Sequence, residues 1–164
     1  KYSFVIAGVK GFEDLYNTMI SENSQVRVEY DQALEILHKS VAALVTSGTA
    51  TLETALMGLP QLILYKTNYI SYQIARRLIK VPYISLVNLI LKDPAIPELI
   101  QDKCNTGNIV SSLKNILPGG ANRESQLELS GRIQEKLGNH NVANNSAVLI
   151  IKYIATGGSQ AKIF

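Results

Sequence analysis

Apolar residues along this chain come in short blocks separated by polar or glycine-containing turns, and the blocks are of two kinds. Some are continuous or alternating, as strands require: Tyr2–Ala7 (YSFVIA), Val26–Tyr30 (VRVEY), Val41–Thr46 (VAALVT) and Gln61–Tyr65 (QLILY). Val41–Thr46 is apolar throughout, the pattern of a strand buried on both faces of a parallel sheet. Others recur at helical spacing. Phe12, Leu15, Tyr16 and Met19 make one face of a helix over Lys10–Ile20, and Ala33, Leu34, Ile36 and Leu37 make the face of a second, which Asp31 is placed to cap. A third helix runs to about Met57 and is stopped by Gly58 and Pro60.

Strand and helix therefore alternate from Tyr2 to Tyr65, which predicts an α/β fold with a parallel, Rossmann-like sheet and right-handed crossovers. Beyond it, Tyr69–Lys80, Ile96–Ile100, Asn108–Leu117, Asn122–Leu137 and Val142–Ala155 all read as helical. The expected organisation is a Rossmann-like domain over 1–117, a helical appendage over 118–156 and a flexible tail over 157–164.

Composition narrows the picture. With 164 residues, 46% of them hydrophobic, the chain has enough for one cored domain and little for two. No apolar run approaches the roughly 20 residues of a membrane-spanning helix. A single cysteine, Cys104, excludes an internal disulfide framework and fits a reducing, cytosolic setting. The net charge of +3 is too small to point to nucleic acid, and its distribution says more. Between Thr54 and Lys92 lie Lys66, Arg76, Arg77, Lys80 and Lys92 and no acid, so one face is expected to be cationic. The opening "KYSFVIAG" reads as a strand already under way, the start of a piece of something longer.

Candidate chemistry concentrates where the third strand meets its helix, in "VTSGTATLE", Val45 to Glu53. Ligands of open parallel sheets bind beyond the carboxyl ends of the strands. A strand turning into a helix through Ser47, Gly48 and Thr49 exposes helix N–H groups that lack partners and carry partial positive charge. Gly48 admits an oxyanion close to the backbone, and the hydroxyls of Ser47 and Thr49 are further donors to phosphate. Glu53 repels phosphate but is suited to accept hydrogen bonds from the vicinal hydroxyls of a ribose. The competing explanation is a plain N-cap at Ser47 or Thr49 with Glu53 complementing the helix dipole. Local physics leaves both open.

From Ser47 to Cys104 the chain closely resembles the lipid-A-disaccharide synthases, inverting glycosyltransferases of the GT-B architecture. Their motifs SGTA-x-LE, P-x-x-x-x-Y, Tyr-x-Ser-Leu-x-Asn and PEL-x-Q occur here in order, and "EYDQALEILHKSVAALVTSG" is similar to the uracil-side segment of such enzymes. The resemblance implies transfer of 2,3-diacylglucosamine from UDP to 2,3-diacylglucosamine 1-phosphate, with no metal or other cofactor. It implies that Ser47, Gly48 and Thr49 hold the diphosphate and Glu53 the ribose, that Asn88 is needed for activity, and that Ser85 belongs to the same UDP-binding cluster. It also implies that a first strand with its Gly-Ser-Arg loop, and an N-terminal domain carrying the general base, belong to the parent and not to this fragment, which is then inactive alone. A place on the cytosolic face of a Gram-negative inner membrane follows from the same resemblance. Alternatives are another GT-B enzyme of UDP-N-acetylglucosamine, a 2-epimerase or a lipid II-forming transferase, and a non-catalytic nucleotide-binding or assembly module.

Other features are weaker. "YKTNYISYQIARRLIKVPY" suits an interfacial helix on an anionic membrane surface, an ordinary amphipathic helix, or a cationic wall of the cleft. His38 and His140 lie in no triad-like pattern and no cluster has metal-ligand spacing. The last helix, Val142–Ala155, is apolar nearly all round and must be covered, by the missing domain or by self-association as a homodimer.

Overall fold

In the computed structural model, which describes residues 2–20, 25–68, 72, 82–138 and 142–155, strand and helix alternate as β1 (Phe4–Gly8), α1 (Glu13–Ile20), β2 (Val26–Tyr30), α2 (Ala33–Lys39), β3 (Ala43–Thr46), α3 (Thr49–Leu56) and β4 (Gln61–Tyr65). Then come α4 (Leu86–Leu91), β5 (Glu98–Ile100), a 3-10 turn (Gln101–Lys103), α5 (Thr106–Ile116), α6 (Arg123–Leu127), α7 (Leu129–Leu137) and α8 (Val142–Ala155). The fold is α/β, with every strand pair parallel, as expected of a Rossmann-like domain.

Leu62 and Ile63 sit side by side on β4, point to opposite faces and are both fully buried. Ile63 packs with Ala55, Val87, Ile96, Leu129 and Ile133 beneath α3, α4 and α7. Leu62 packs with Leu99 and Ile116 on the α5 side, against the half-buried Cys104. β4 is thus the middle of a three-layer unit, and truncating either residue to Ala costs about 2–5 kcal/mol by the usual behaviour of such sites.

Two helices expected as an appendage are fastened to this unit. Leu129 and Ile133 of α7 belong to the same core as Ile63, Ser130 donates its hydroxyl to the Leu56 carbonyl, and the Arg123 guanidinium donates to the carbonyls of Val41 (2.8 Å) and Ile116 (3.0 Å). The helix expected over Asn122–Leu137 is two, joined at Glu128.

Several expectations are corrected. The sheet order is β1-β2 in one sheet and β3-β4-β5 in another, rather than one continuous sheet. β3 buries only Val45, and Leu44 is 43% exposed, because among the described residues β3 has a neighbour on one side only. Glu98–Ile100 is a strand rather than the end of a helix: three residues are too few to show a period, and pairing with β4 decides the outcome. Leu86–Leu91 forms a helix not expected from the pattern, capped by the Ser85 hydroxyl accepting from Asn88 N–H. Asp31 does not cap α2; Gln32 holds that position, and Asp31 has a left-handed backbone (φ 58°) and pairs with Lys10. Phe12, Leu15 and Met19, expected on the apolar face of the first helix, are exposed, and α1 packs on β2. α8 has the expected bounds, with Leu149, Ile151 and Ile154 exposed. The helix expected over Tyr69–Lys80, apart from Tyr72, and His140 lie outside the described residues.

Candidate functional site

At the carboxyl end of β3 the chain leaves the sheet through Ser47 and Gly48 and enters α3 at Thr49. Gly48 is the N-cap, with extended backbone (φ 163°), and no side chain caps the helix. The simple-cap explanation for Ser47 and Thr49 therefore fails, and Thr49 and Ala50 at the start of α3 are exposed, with no side-chain acceptor for their amides among the described residues. A Cβ built on Gly48 meets nothing within 4 Å, so the protein's own packing does not require glycine there. The floor below is firm: Thr51 and Thr54 are fully buried, and their hydroxyls donate to the carbonyls of Gly48 (2.8 Å) and Ala50 (2.7 Å). Gly48, Thr49 and Ala50 are exposed, and Glu53, one turn further, stands in solvent.

Ser47 differs from its neighbours. Its N–H donates to the Leu64 carbonyl (3.3 Å) and its hydroxyl donates to the Ile84 carbonyl (2.8 Å). Both its donors are used inside the protein, so it fixes the loop, and the outward donors belong to the start of α3.

The wall beside the loop is the Tyr83–Asn88 box. Ser85 and Asn88 are buried at 0% and 1% exposure. The Asn88 side chain donates to the Ile96 carbonyl (2.8 Å) and to Glu98 Oε1 (2.9 Å), and its carbonyl oxygen accepts from Ile96 N–H (2.9 Å). The Ser85 hydroxyl donates to Glu98 Oε1 (2.7 Å). Neither side chain is turned outward. Glu98 and Gln101, for which sequence reasoning assigned no role, hold this region; their signal was the PEL-x-Q motif itself. Tyr65, at the end of β4, is exposed.

A second concave feature lies at the carboxyl ends of β1 and β2. A depression of about 840 Å³ is lined by Ala7 to Lys10 on one side and Asp31 to Glu35 on the other. Gly8 is needed at its floor, where a Cβ would come within 2.5 Å of Val28 Cγ1 and 2.6 Å of Tyr30 Cε1. The Lys10–Asp31 ion pair lies on its lining, and Asp31 beside it raises the lysine pKa. The Tyr16 ring sits 6.1 Å from that of Tyr30 and its hydroxyl accepts from Val9 N–H. Among the described residues no group of His, Cys, Asp or Glu is arranged to hold a metal ion, and no helix is long and apolar enough to cross a membrane.

The class the fold defines is that of Rossmann-like α/β domains, whose ligands as a rule bind beyond the carboxyl ends of the strands. Residues 6–152 match the profile of the lipid-A-disaccharide synthetase family, and the chain belongs to that family. It is 41% identical over 113 residues to the lipid-A-disaccharide synthase of Syntrophus aciditrophicus, covering 69% of this chain and 30% of that protein. It is 33% identical over 135 residues to that of Solibacter usitatus (82% and 35%), and 30% identical over 141 residues to that of Geobacter sulfurreducens (86% and 37%). The chain thus spans about a third of the length of these curated relatives.

Proposed function

We propose that this chain is the nucleotide-holding part of a glycosyltransferase of lipid A biosynthesis, one that moves 2,3-diacylglucosamine from UDP to 2,3-diacylglucosamine 1-phosphate. The observation that carries the reading is the outward, uncapped start of α3 behind a glycine whose missing side chain leaves open space. There the amides of Gly48 and Thr49 and the Thr49 hydroxyl meet the diphosphate, with Ser47 fixing the loop. The helix-end positive charge stabilises the negative charge that grows on UDP as it leaves.

Glu53, exposed one turn along, accepts from the ribose hydroxyls, and the depression beside Gly8 and Asp31 takes the base. Ser85 and Asn88 serve the same site from inside, by shaping the wall against which the loop rests. The fragment supplies no general base in this reading; that group and the acyl-chain pockets come from a preceding domain, and the fragment alone is inactive. The split between the β1-β2 and β3-β4-β5 sheets supports an upstream strand that fits between them. The exposed apolar residues of α8 support its covering by the preceding domain or a second copy. The donor and acceptor are lipids, so the whole enzyme works against the anionic cytosolic face of the inner membrane.

The test is a UDP titration of the full-length protein. Glu53→Ala is expected to weaken UDP about tenfold or more, as loss of a charged hydrogen-bond partner does. Unchanged affinity removes the ribose role.

A further inference from the structure

Glu98 lies on β5, and its half-buried carboxylate accepts four hydrogen bonds: from the N–H groups of Ile84 (3.1 Å) and Ser85 (3.0 Å), from the Ser85 hydroxyl (2.7 Å) and from the Asn88 amide (2.9 Å). The Ser85 N–H and the Ile84 carbonyl belong to one planar peptide group and point in opposite directions. One end of that plane is held by Glu98 and the other accepts the Ser47 hydroxyl at 2.8 Å. Negative charge at the N–H end polarises the peptide and strengthens its carbonyl as an acceptor.

We propose that Glu98 is a positioning residue for the loop at Ser47–Thr49, acting through the Ile84–Ser85 peptide and the Ser47 hydroxyl. The proposal rests on the reading of that loop as the diphosphate site. Glutamine has the shape of glutamate but no charge, and its NH2 must face either the Ile84 N–H at Oε2 or the three donors at Oε1, so Glu98→Gln weakens the hold on the Ile84–Ser85 peptide without changing its volume. The Ser47 hydroxyl then loses its fixed acceptor, and the loop must be ordered when the ligand arrives, at the ligand's expense in affinity.

The experiment is a double-mutant cycle on the full-length protein, with Ser47→Ala, Glu98→Gln and the pair titrated with UDP. Each single change is expected to weaken UDP about tenfold, and the pair no more than either alone, because both cut one connection. Additive losses, about a hundredfold in the pair, overturn the proposal. Amide hydrogen exchange without nucleotide is the second measurement. In Glu98→Gln the Ile84 and Ser85 amides are expected to exchange at least about tenfold faster, while Ile63 N–H, bonded to the Pro97 carbonyl, stays protected. Unchanged exchange at Ile84 and Ser85 overturns the clamp. If Ile63 also loses protection, Glu98→Asp, which keeps the charge but is too short to span Ile84 and Asn88 together, replaces Glu98→Gln in both measurements under the same criteria. A wild-type protein that binds no UDP refutes the reading of the loop instead, and the exchange result then decides on the clamp by itself.

Discussion

Gln101 holds Thr67 by both of its backbone groups: the Gln101 side-chain oxygen accepts from Thr67 N–H at 2.8 Å, and its NH2 donates to the Thr67 carbonyl at 3.1 Å. This two-point grip ties the segment after β4 to the end of β5, and Gln101 adopts a left-handed backbone (φ 49°) in making it. Thr67 is the third residue of the basic, tyrosine-rich stretch that begins at Tyr65, so the grip fixes the chain just beyond the end of β4.

Gln101→Glu is expected to be more damaging than Gln101→Ala. Glutamate keeps the acceptor for Thr67 N–H but sets a second oxygen against the Thr67 carbonyl, whereas alanine leaves room for water. We expect a loss of about 1 kcal/mol for alanine and more for glutamate, read by urea unfolding, with faster exchange of the Thr67 amide in both. A glutamate variant as stable as the unchanged protein would show that the second contact contributes nothing.

Gly48→Ala separates packing from ligand approach. The added methyl meets no protein atom and the backbone there is extended, so stability is expected to change by less than about 0.5 kcal/mol. The same methyl occupies the space through which an oxyanion reaches the amides of α3, so UDP affinity is expected to fall tenfold or more. Thermal unfolding and a UDP titration of the same preparation check both halves.

The alternation of strand and helix from Phe4 to Tyr65 was legible because each block is long enough to show its period, and the loop at Ser47–Thr49 because small residues between a strand and a helix leave few alternatives. Three features were not. Glu98–Ile100 is too short to carry a period and became a strand only by pairing with β4. The Leu86–Leu91 helix depends on the Ser85 cap, whose hydroxyl also serves Glu98, a partner 13 residues away. Ser85 and Asn88 were found by motif, but motif spacing cannot tell an outward ligand from an inward strut; that is decided by Ile96 and Glu98, which arrive from another element. The resemblance named the candidate residues, and tertiary contacts decide which way they face.

The turn before α1 resists acid to lower pH than an ordinary glutamate would allow. Gly11 N–H donates to both carboxylate oxygens of Glu13, at 2.9 and 3.0 Å, and this holds the Glu13 carboxyl below its ordinary pKa. A carboxylate lowered on folding contributes stability above its unfolded pKa and loses it as pH falls through the folded value. The Glu13 carboxyl is therefore expected to titrate at lower pH than a glutamate in an unstructured peptide, followed by NMR. Below that midpoint Glu13→Gln and the unchanged protein should have the same stability.

Asn88 distinguishes an internal strut from a ligand. Its side chain closes both backbone groups of Ile96 and one contact to Glu98, all at 1% exposure, so Asn88→Ala strands buried polar groups in the same core that holds Val87 and Ile96. The expected cost is about 2 kcal/mol or more in unfolding free energy, with a fall in turnover because the wall behind the Ser47 loop is no longer held. Asn88→Asp should be worse still, since it replaces the NH2 with an oxygen facing the Ile96 carbonyl and the Glu98 carboxylate. A residue whose purpose is to touch the donor sugar behaves differently: its removal lowers turnover and leaves the unfolding midpoint in place. Urea unfolding of the two variants, beside their turnover in the full-length protein, separates these cases, and an Asn88→Ala protein as stable as wild type would return Asn88 to direct contact with the substrate.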